Sequence, residues 1–105
     1  MAIYKVTVLS SARQEMHDIA KYIRTEFDNP TAAKRIMKKF KEASARLKQQ
    51  PYSCPVHLSE KPLEYEYRKL IVDNYIMFYQ IDENKKLVTI SRVIYSRRDY
   101  NQLLT

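Results

Sequence analysis

The carboxyl-terminal third of the chain concentrates arginine, lysine and tyrosine side chains that could grip a nucleic acid or a protein partner. Arginine forms paired hydrogen bonds with phosphate or carboxylate oxygens, and tyrosine stacks on bases or fills interface pockets. We expect Lys69 or Arg68 to approach Arg92 across a concave sheet. A structural role is the alternative: Arg98 would pair locally with Asp99, and two tyrosines would close the core. The candidate target-binding residues are Arg68, Lys69, Arg92, Tyr95, Arg97, Arg98 and Tyr100.

A second cationic surface is predicted on the outer face of one helix. Its members recur at helical spacing, which places them in two neighbouring stripes, and Glu42 is the only acid among them. Two interpretations remain open, an ordinary solvated face and a docking surface for nucleic acid or an acidic protein segment. The residues of this basic helix face are Lys34, Arg35, Lys38, Lys39, Lys41, Arg46 and Lys48.

The composition supports one folded domain over residues 1–105 with a strong preference for anionic partners. With 45% hydrophobic and 30% charged residues, the chain can bury a core. Its net charge of +7 attracts nucleic acid, an acidic membrane surface or an acidic protein. The first nine residues lack the long apolar run of a signal peptide or membrane span. We therefore expect a cytoplasmic protein without a membrane partner.

Several kinds of chemistry are disfavoured by the residues that are missing. A single cysteine, Cys54, forms no internal disulfide and is too few for a cysteine-rich zinc site. His17 and His57 stand apart, without a pattern of metal ligands around them. A chain without glycine has no phosphate loop and no dinucleotide-binding turn. We expect neither a metal nor an organic cofactor.

The amino-terminal half predicts a short strand followed by a helical hairpin. Residues 4–9 alternate as a strand, Ser11 begins a capping-box pattern, and apolar residues then recur at helical intervals. Asn29 and Pro30 are typical of a second helix start, as cap and first helical residue. This helix ends before the proline-rich loop 51–62. The short link between the two helices indicates an antiparallel pair.

Three strands rich in tyrosine, valine and isoleucine follow the loop, at 65–72, 75–81 and 87–94. Their short connections, with Asp and Asn as turn residues, predict an antiparallel meander. Strict alternation places Arg92 on the same strand face as Ile90 and Ile94. The predicted fold is therefore α+β: an N-terminal strand, then an antiparallel two-helix hairpin packed on a mainly antiparallel sheet. A short C-terminal helix or tail covers residues 97–104.

The order of these elements resembles that of the ParE/RelE toxins, and the resemblance covers essentially the whole chain. It is carried by "SSARQEMHDIAKYI", by "ARLKQQP", and above all by "YIMFYQID" followed by "ISRVIYSRRDY". The resemblance implies the toxin of a type II toxin–antitoxin system, wrapped and neutralised by a cognate antitoxin. Operator DNA would be bound only through that antitoxin, whose contacting segment we expect to be acidic.

Two toxic activities occur among the proteins that the chain resembles. ParE-type toxins poison DNA gyrase, and RelE-type toxins cut messenger RNA in the ribosomal A site without a metal. Ile76 stands where RelE-type toxins usually carry an arginine, and Tyr95 stands where many carry a histidine. Tyrosine is a poor base at neutral pH, and the long helical hairpin also looks more like ParE. A nuclease of this kind would depend on Lys69, Arg92, Tyr95, Arg98 and Tyr100.

The resemblance therefore favours a toxin that binds DNA gyrase without enzymatic activity of its own. A ribosome-dependent mRNA endoribonuclease is the first alternative. The second alternative is a module that is not toxic and only binds an antitoxin.

Overall fold

The structure is a computed structural model that describes residues 3–58, 65–97 and 104. The four strands form one sheet in the order β1-β4-β3-β2, in which β1 is parallel to β4 and the other pairs are antiparallel. This arrangement confirms the predicted α+β fold. The elements are β1 (Lys5–Val8), α1 (Ser10–Glu26), α2 (Pro30–Arg46), a 3₁₀ turn (Pro51–Ser53), β2 (Arg68–Val72), β3 (Tyr75–Asp82) and β4 (Leu87–Tyr95).

The two helices pack against each other and cover one face of the sheet. α2 begins as predicted, because the Asn29 side chain accepts a hydrogen bond from the backbone N–H of Ala32 at 3.0 Å and Pro30 occupies the first turn. The main core lies between the hairpin and the sheet, where Phe40 meets Met77 and other buried residues. Burial of this apolar surface is the main stabilising term of the fold.

α1 begins differently from the prediction. The capping box at Ser11 is wrong, because the helix already starts at Ser10 and its N-cap, Leu9, makes no side-chain cap. The backbone N–H of Leu9 donates to the carbonyl of Ile90 at 2.9 Å, so the chain is still paired with β4 when the helix begins. The Ser11 hydroxyl therefore lies inside the helix and donates to the carbonyl of Ser91 at 3.0 Å.

The turns of this chain place ordinary side chains in the left-handed backbone region. Asp28 and Asp73 have φ values of 47° and 54°, in the two turns where the sequence predicts them. In the β3–β4 turn, Asp82 accepts a hydrogen bond from the backbone N–H of Lys85 at 3.1 Å. The left-handed residue there is Lys86, with φ of 51°, rather than an Asp or Asn.

One of the predicted strands begins later than expected. β2 begins at Arg68, paired with Tyr79, rather than at residue 65. On its outer edge it forms a short bridge with the loop, in which the Tyr67 carbonyl accepts a hydrogen bond from the His57 N–H at 2.7 Å. Most of the predicted C-terminal helix or tail lies outside the described residues. Leu104 is described and is itself helical, and it packs against Phe78 in a small apolar cluster on the sheet face that lies opposite α1 and α2 and is free of those two helices. We call this the helix-free face.

β4 contains a β-bulge at Ser91. Phe78 pairs with Arg92 across the ladder, whereas the next residue of β3, Tyr79, pairs with Ile90. Ser91 is therefore an extra residue with no partner in β3. Such an insertion bends a strand and shifts the phase of its side-chain alternation.

The bulge decides which face Arg92 takes. Before the bulge, Ile90 lies in the main core beneath the helices. After it, Ile94 joins Ile76 and Phe78 on the helix-free face, and Arg92, opposite Phe78, shares that face. The predicted position of Arg92 is therefore right relative to Ile94 and wrong relative to Ile90, because one inserted residue reverses the alternation between them.

Within the described ranges, neither helix is long and apolar enough to cross a membrane.

The carboxylate of Glu83 joins three segments of the chain. It accepts hydrogen bonds from the hydroxyls of Tyr4 and Tyr52, each at 2.7 Å, and pairs with the ammonium group of Lys86. These donors, Lys86 first and then the two tyrosines, lower the pKa of Glu83 to about 2. The carboxylate thus links the residue before β1, the 3₁₀ turn and the β3–β4 turn.

We expect Glu83→Gln to change the acid response of the protein. Since the folded-state pKa of Glu83 lies below its ordinary value of 4.5, its stabilising effect is present above that value and is lost as the pH falls towards 2. The melting temperature of the wild type should therefore drop further between pH 6 and pH 2.5 than that of Glu83→Gln. Circular-dichroism melts measure this difference, with the exposed residue Glu42 changed to Gln as control. Equal pH responses in wild type and Glu83→Gln would contradict the prediction.

Candidate target-binding surface

Lys69 and Arg92 lie in one row across the helix-free face. Lys69 on β2 pairs with Phe78 on β3, and Phe78 pairs with Arg92 on β4. Directly opposed residues of antiparallel strands point to the same face, so the two cations flank the phenylalanine. The ring of His57 packs edge-on against Phe78, with 5.4 Å between the ring centroids. Lys69 and Arg92 therefore share a face with Phe78 between them, and their approach as one site stays a prediction.

Arg92 is engaged by a carboxylate that sequence reasoning missed. Its Nε donates to both carboxylate oxygens of Glu15 at 3.0 Å, and its Nη2 donates to Oε2 at 2.7 Å. Glu15 Oε1 also accepts the backbone N–H of Val93 at 3.0 Å. Both side chains are largely buried, with 28% of Arg92 and 20% of Glu15 exposed. Hydrogen bonding to Glu15 raises the pKa of Arg92 further, so the guanidinium stays charged.

Glu15 occupies this place because β1 is shorter than β4. β1 pairs with β4 only as far as Ile90, and beyond that point α1 lies beside the open edge of β4. The Ser11 hydroxyl donates to the carbonyl of Ser91, and Glu15 accepts from the N–H of Val93. Side chains one helical turn apart thus supply the hydrogen bonds that a neighbouring strand would make. The spacing of Ser11 and Glu15 was visible in the sequence, but their partners in β4 were not.

Arg68 points away from Lys69, towards the helix-covered side of the sheet. Its Nη1 donates to the carbonyl of Cys54 at 2.7 Å, and its guanidinium carbon lies 5.0 Å from the centre of the Tyr52 ring. These contacts attach the 3₁₀ turn to the start of β2. Arg68 therefore does not join Arg92, and Lys69 is the residue that shares its face.

Tyr95 also lies on the helix-covered side, in a groove of about 620 Å³ between the end of α1 and the β2–β3 turn. Its ring packs against Tyr75, with 5.8 Å between the centroids. Large parts of the neighbouring aromatic side chains are open to solvent, 54% of Tyr22 and 65% of Phe27. We call this the aromatic groove. Its lining includes Ile19, Tyr22, Phe27, Tyr75 and Tyr95.

The described candidates therefore do not form the single concave site expected from the sequence. Lys69 and Arg92 share the helix-free face, whereas Arg68 and Tyr95 lie on the other side. Arg97 is exposed in the turn that follows β4. Adjacent strand residues alternate between faces, so a run of candidate residues along one strand is necessarily divided. Arg98 and Tyr100 lie outside the described residues.

The basic helix face is divided in a similar way. Lys39 is partly buried and donates to both carboxylate oxygens of Asp73, at 2.9 and 3.0 Å. Nη2 of Arg46 lies 3.7 Å from Sγ of Cys54. Lys39 and Arg46 thus each contact a residue outside α2. The exposed residues are Lys34, Arg35, Lys38, Lys41, Arg46 and Lys48, and a docking role for them remains a prediction.

The fold is similar to that of small α+β proteins known from solved toxin–antitoxin complexes. The chromosomal ParDE system of P. aeruginosa is similar, with a TM-score of 0.69, 16% identity and coverage of 90% of this chain and 98% of that chain. The RelBE2 complex of Mycobacterium tuberculosis is also similar, with a TM-score of 0.64 and 20% identity. The match covers 89% of this chain and 98% of that chain. The archaeal RelE–RelB complex of Pyrococcus horikoshii OT3 has a TM-score of 0.57 and 16% identity. The match covers 93% of this chain and 99% of that chain.

A family comparison identifies the chain more closely. Residues 6–100 match the family model described as the ParE toxin of the type II toxin–antitoxin system, parDE. The protein therefore belongs to the ParE toxin family, which confirms the resemblance seen in the sequence. Comparison with curated protein sequences finds no match.

Proposed function

We propose that the protein is a toxin held inactive by a cognate antitoxin, and that it inhibits DNA gyrase by binding rather than by cutting RNA. The observation that carries this choice is that the three candidate nuclease residues which the structure describes, Lys69, Arg92 and Tyr95, are distributed over two faces of the sheet. RNA cleavage needs cations and a proton donor or acceptor at the same phosphodiester. Lys69 and Arg92 are on the helix-free face, and Tyr95 lies in the aromatic groove on the other side. Among these described residues, the two cations and the tyrosine therefore do not face one phosphodiester.

The residue at the position where a RelE-type nuclease would carry an arginine also favours a toxin that acts by binding over a nuclease. Ile76 is buried there, in the small cluster with Phe78 and Ile94 on the helix-free face. An isoleucine in that place stabilises the sheet and offers no hydrogen bond to a phosphate. Of the two cations that flank Phe78, Lys69 and Arg92, the arginine is already bound by Glu15.

The aromatic groove favours a protein as the target. Tyrosine is enriched at protein–protein interfaces and at their energetic hot spots. Tyr22, Phe27 and Tyr95 combine exposed rings in one concave surface. We place the target contact here, with Arg97 beyond the end of β4 as an adjoining cation.

The antitoxin is proposed from the family and from the charge of the chain. The similar solved structures come from toxin–antitoxin systems. A chain with a net charge of +7 suits an antitoxin segment that is acidic where it makes contact. The exposed lysines of α2 are the residues available for such a contact.

A supercoiling assay with purified gyrase tests the proposal. We expect micromolar protein to inhibit supercoiling and to trap a DNA cleavage complex. Tyr95→Ala should weaken inhibition about tenfold, since loss of an interface tyrosine commonly costs more than 1 kcal/mol. Tyr65→Ala, which removes an exposed tyrosine from another surface, is the matched control and should inhibit as the wild type does.

Other results would replace the proposal. Normal supercoiling together with codon-positioned cuts in translated messages would indicate the ribosome-dependent endoribonuclease. Healthy growth of cells that express the protein without its antitoxin would indicate the module that is not toxic.

A further inference from the structure

The helix-free face carries two cationic side chains, Lys69 and Arg92, of the kind that bind phosphate groups. Lys69 and Arg92, both partly exposed, are separated by one strand, which places their backbones about 10 Å apart on either side of the buried Phe78. Two cations at this spacing suit a nucleic-acid strand, whose backbone carries one negative charge per nucleotide. The net charge of +7 would bring RNA to such a surface.

Glu15 occupies the hydrogen-bonding groups that a phosphate would use. A guanidinium grips a carboxylate or a phosphate in the same way, through two parallel N–H donors. Nε and Nη2 of Arg92 both donate to the Glu15 carboxylate, at 2.7 to 3.0 Å. The carboxylate also adds a negative charge that repels an approaching phosphate.

The backbone of β4 holds Glu15 in this position. Besides Arg92, the carboxylate accepts the N–H of Val93 at 3.0 Å, at the strand edge that β1 leaves open. A phosphate that displaced Glu15 would leave this backbone donor without its acceptor, which carries a free-energy penalty. The contact of Glu15 with Arg92 is therefore part of the packing of α1 on β4 rather than a mobile surface contact.

We infer that Glu15 determines specificity, because its carboxylate occupies Arg92 in place of a nucleic-acid phosphate and keeps the helix-free face from binding RNA. The inference rests on the proposed function, since a toxin that acts by binding a protein benefits from rejecting the RNA that its charge attracts. It concerns affinity for RNA alone, so the gyrase assay and the RNA assay can fail independently.

Glu15→Gln tests the inference directly. Glutamine retains an oxygen that can accept the Val93 N–H, but it lacks the charge that binds Arg92. We expect a short fluorescein-labelled single-stranded RNA to bind this variant about tenfold more tightly in an anisotropy titration. The slope of log affinity against log salt should become steeper by about 0.7, as one more phosphate contact requires. Glu26→Gln makes the same charge change at an exposed site on α1 and should alter neither quantity to this extent.

Arg92→Ala shows whether the gain in RNA affinity of Glu15→Gln depends on the guanidinium group of Arg92. In the wild-type background this substitution should leave RNA affinity unchanged, because Glu15 already occupies Arg92. Combined with Glu15→Gln, it should cancel the tighter binding. Circular-dichroism melts of each variant establish that the fold is retained.

Three results would overturn the inference. The first is Glu15→Gln binding RNA no more tightly than Glu26→Gln. The second is a gain that persists when Arg92 is also replaced. The third is a roughly tenfold loss of RNA affinity on Arg92→Ala alone, which would mean that Arg92 is already available. This last measurement leaves Glu15 intact, so it decides the matter even if Glu15→Gln does not fold.

Discussion

Phe40→Ala is expected to lower the free energy of unfolding by about 4 kcal/mol. Phe40 is only 1% exposed, in the core between the helical hairpin and the sheet. Its ring packs edge-on against Tyr75, with 6.0 Å between the centroids. Truncation removes this apolar burial and leaves a cavity beneath α2. Urea unfolding followed by circular dichroism measures the loss.

Phe27→Ala is the matched control, because it deletes the same atoms from a side chain that is 65% exposed. Phe27 touches only the rim of the aromatic groove, where its ring meets Tyr22 at 5.5 Å. We expect a loss of roughly 0.5–1 kcal/mol. If the two substitutions destabilised the protein equally, the main core would not lie where Phe40 is buried.

The second large effect is expected at the edge of the sheet, where Glu15→Ala should lower the free energy of unfolding by about 2 kcal/mol. The substitution leaves two largely buried donors without this acceptor, the Arg92 guanidinium and the Val93 N–H. The estimate is below that for a fully buried ion pair because 28% of Arg92 and 20% of Glu15 remain exposed. Urea unfolding at neutral pH measures it.

Glu26→Ala controls for the lost charge and helix propensity on α1, since Glu26 is exposed. It should change the stability by less than about 0.5 kcal/mol. Glu15→Gln should fall between the two alanine variants, because the amide oxygen can still accept the Val93 N–H. A stability for Glu15→Ala equal to that of Glu26→Ala would mean that the carboxylate does not support the β4 edge.

The two sides of the sheet suggest a division of roles in this ParE-family protein. The helix-covered side ends in the aromatic groove, whose exposed rings are suited to a protein surface. The helix-free face carries Lys69 and Arg92, but the charge of the latter is balanced by Glu15. We infer that a domain with a net charge of +7 can in this way attract acidic protein partners while Glu15 keeps Arg92 from binding phosphates.

Much of the fold was predictable because its signals are local. Apolar residues at helical spacing, Asn29 with Pro30, and the Asp turns at 28 and 73 determine where helices and strands begin and end. Each depends on neighbours a few residues away, so one sequence contains the whole signal. The ParE-family identity was likewise visible in the order of the elements and in the motifs of the last two strands.

The arrangement of the candidate site depended on contacts that no local pattern records. One extra residue at Ser91 reverses the alternation of β4 and separates Arg92 from Ile90. The short β1 leaves an edge that Glu15 fills, although Glu15 and Arg92 are 77 positions apart. Side-chain periodicity gives the face of a regular strand, but a bulge shifts its phase. Which helix lies beside the open edge is then decided only when the hairpin packs on the sheet.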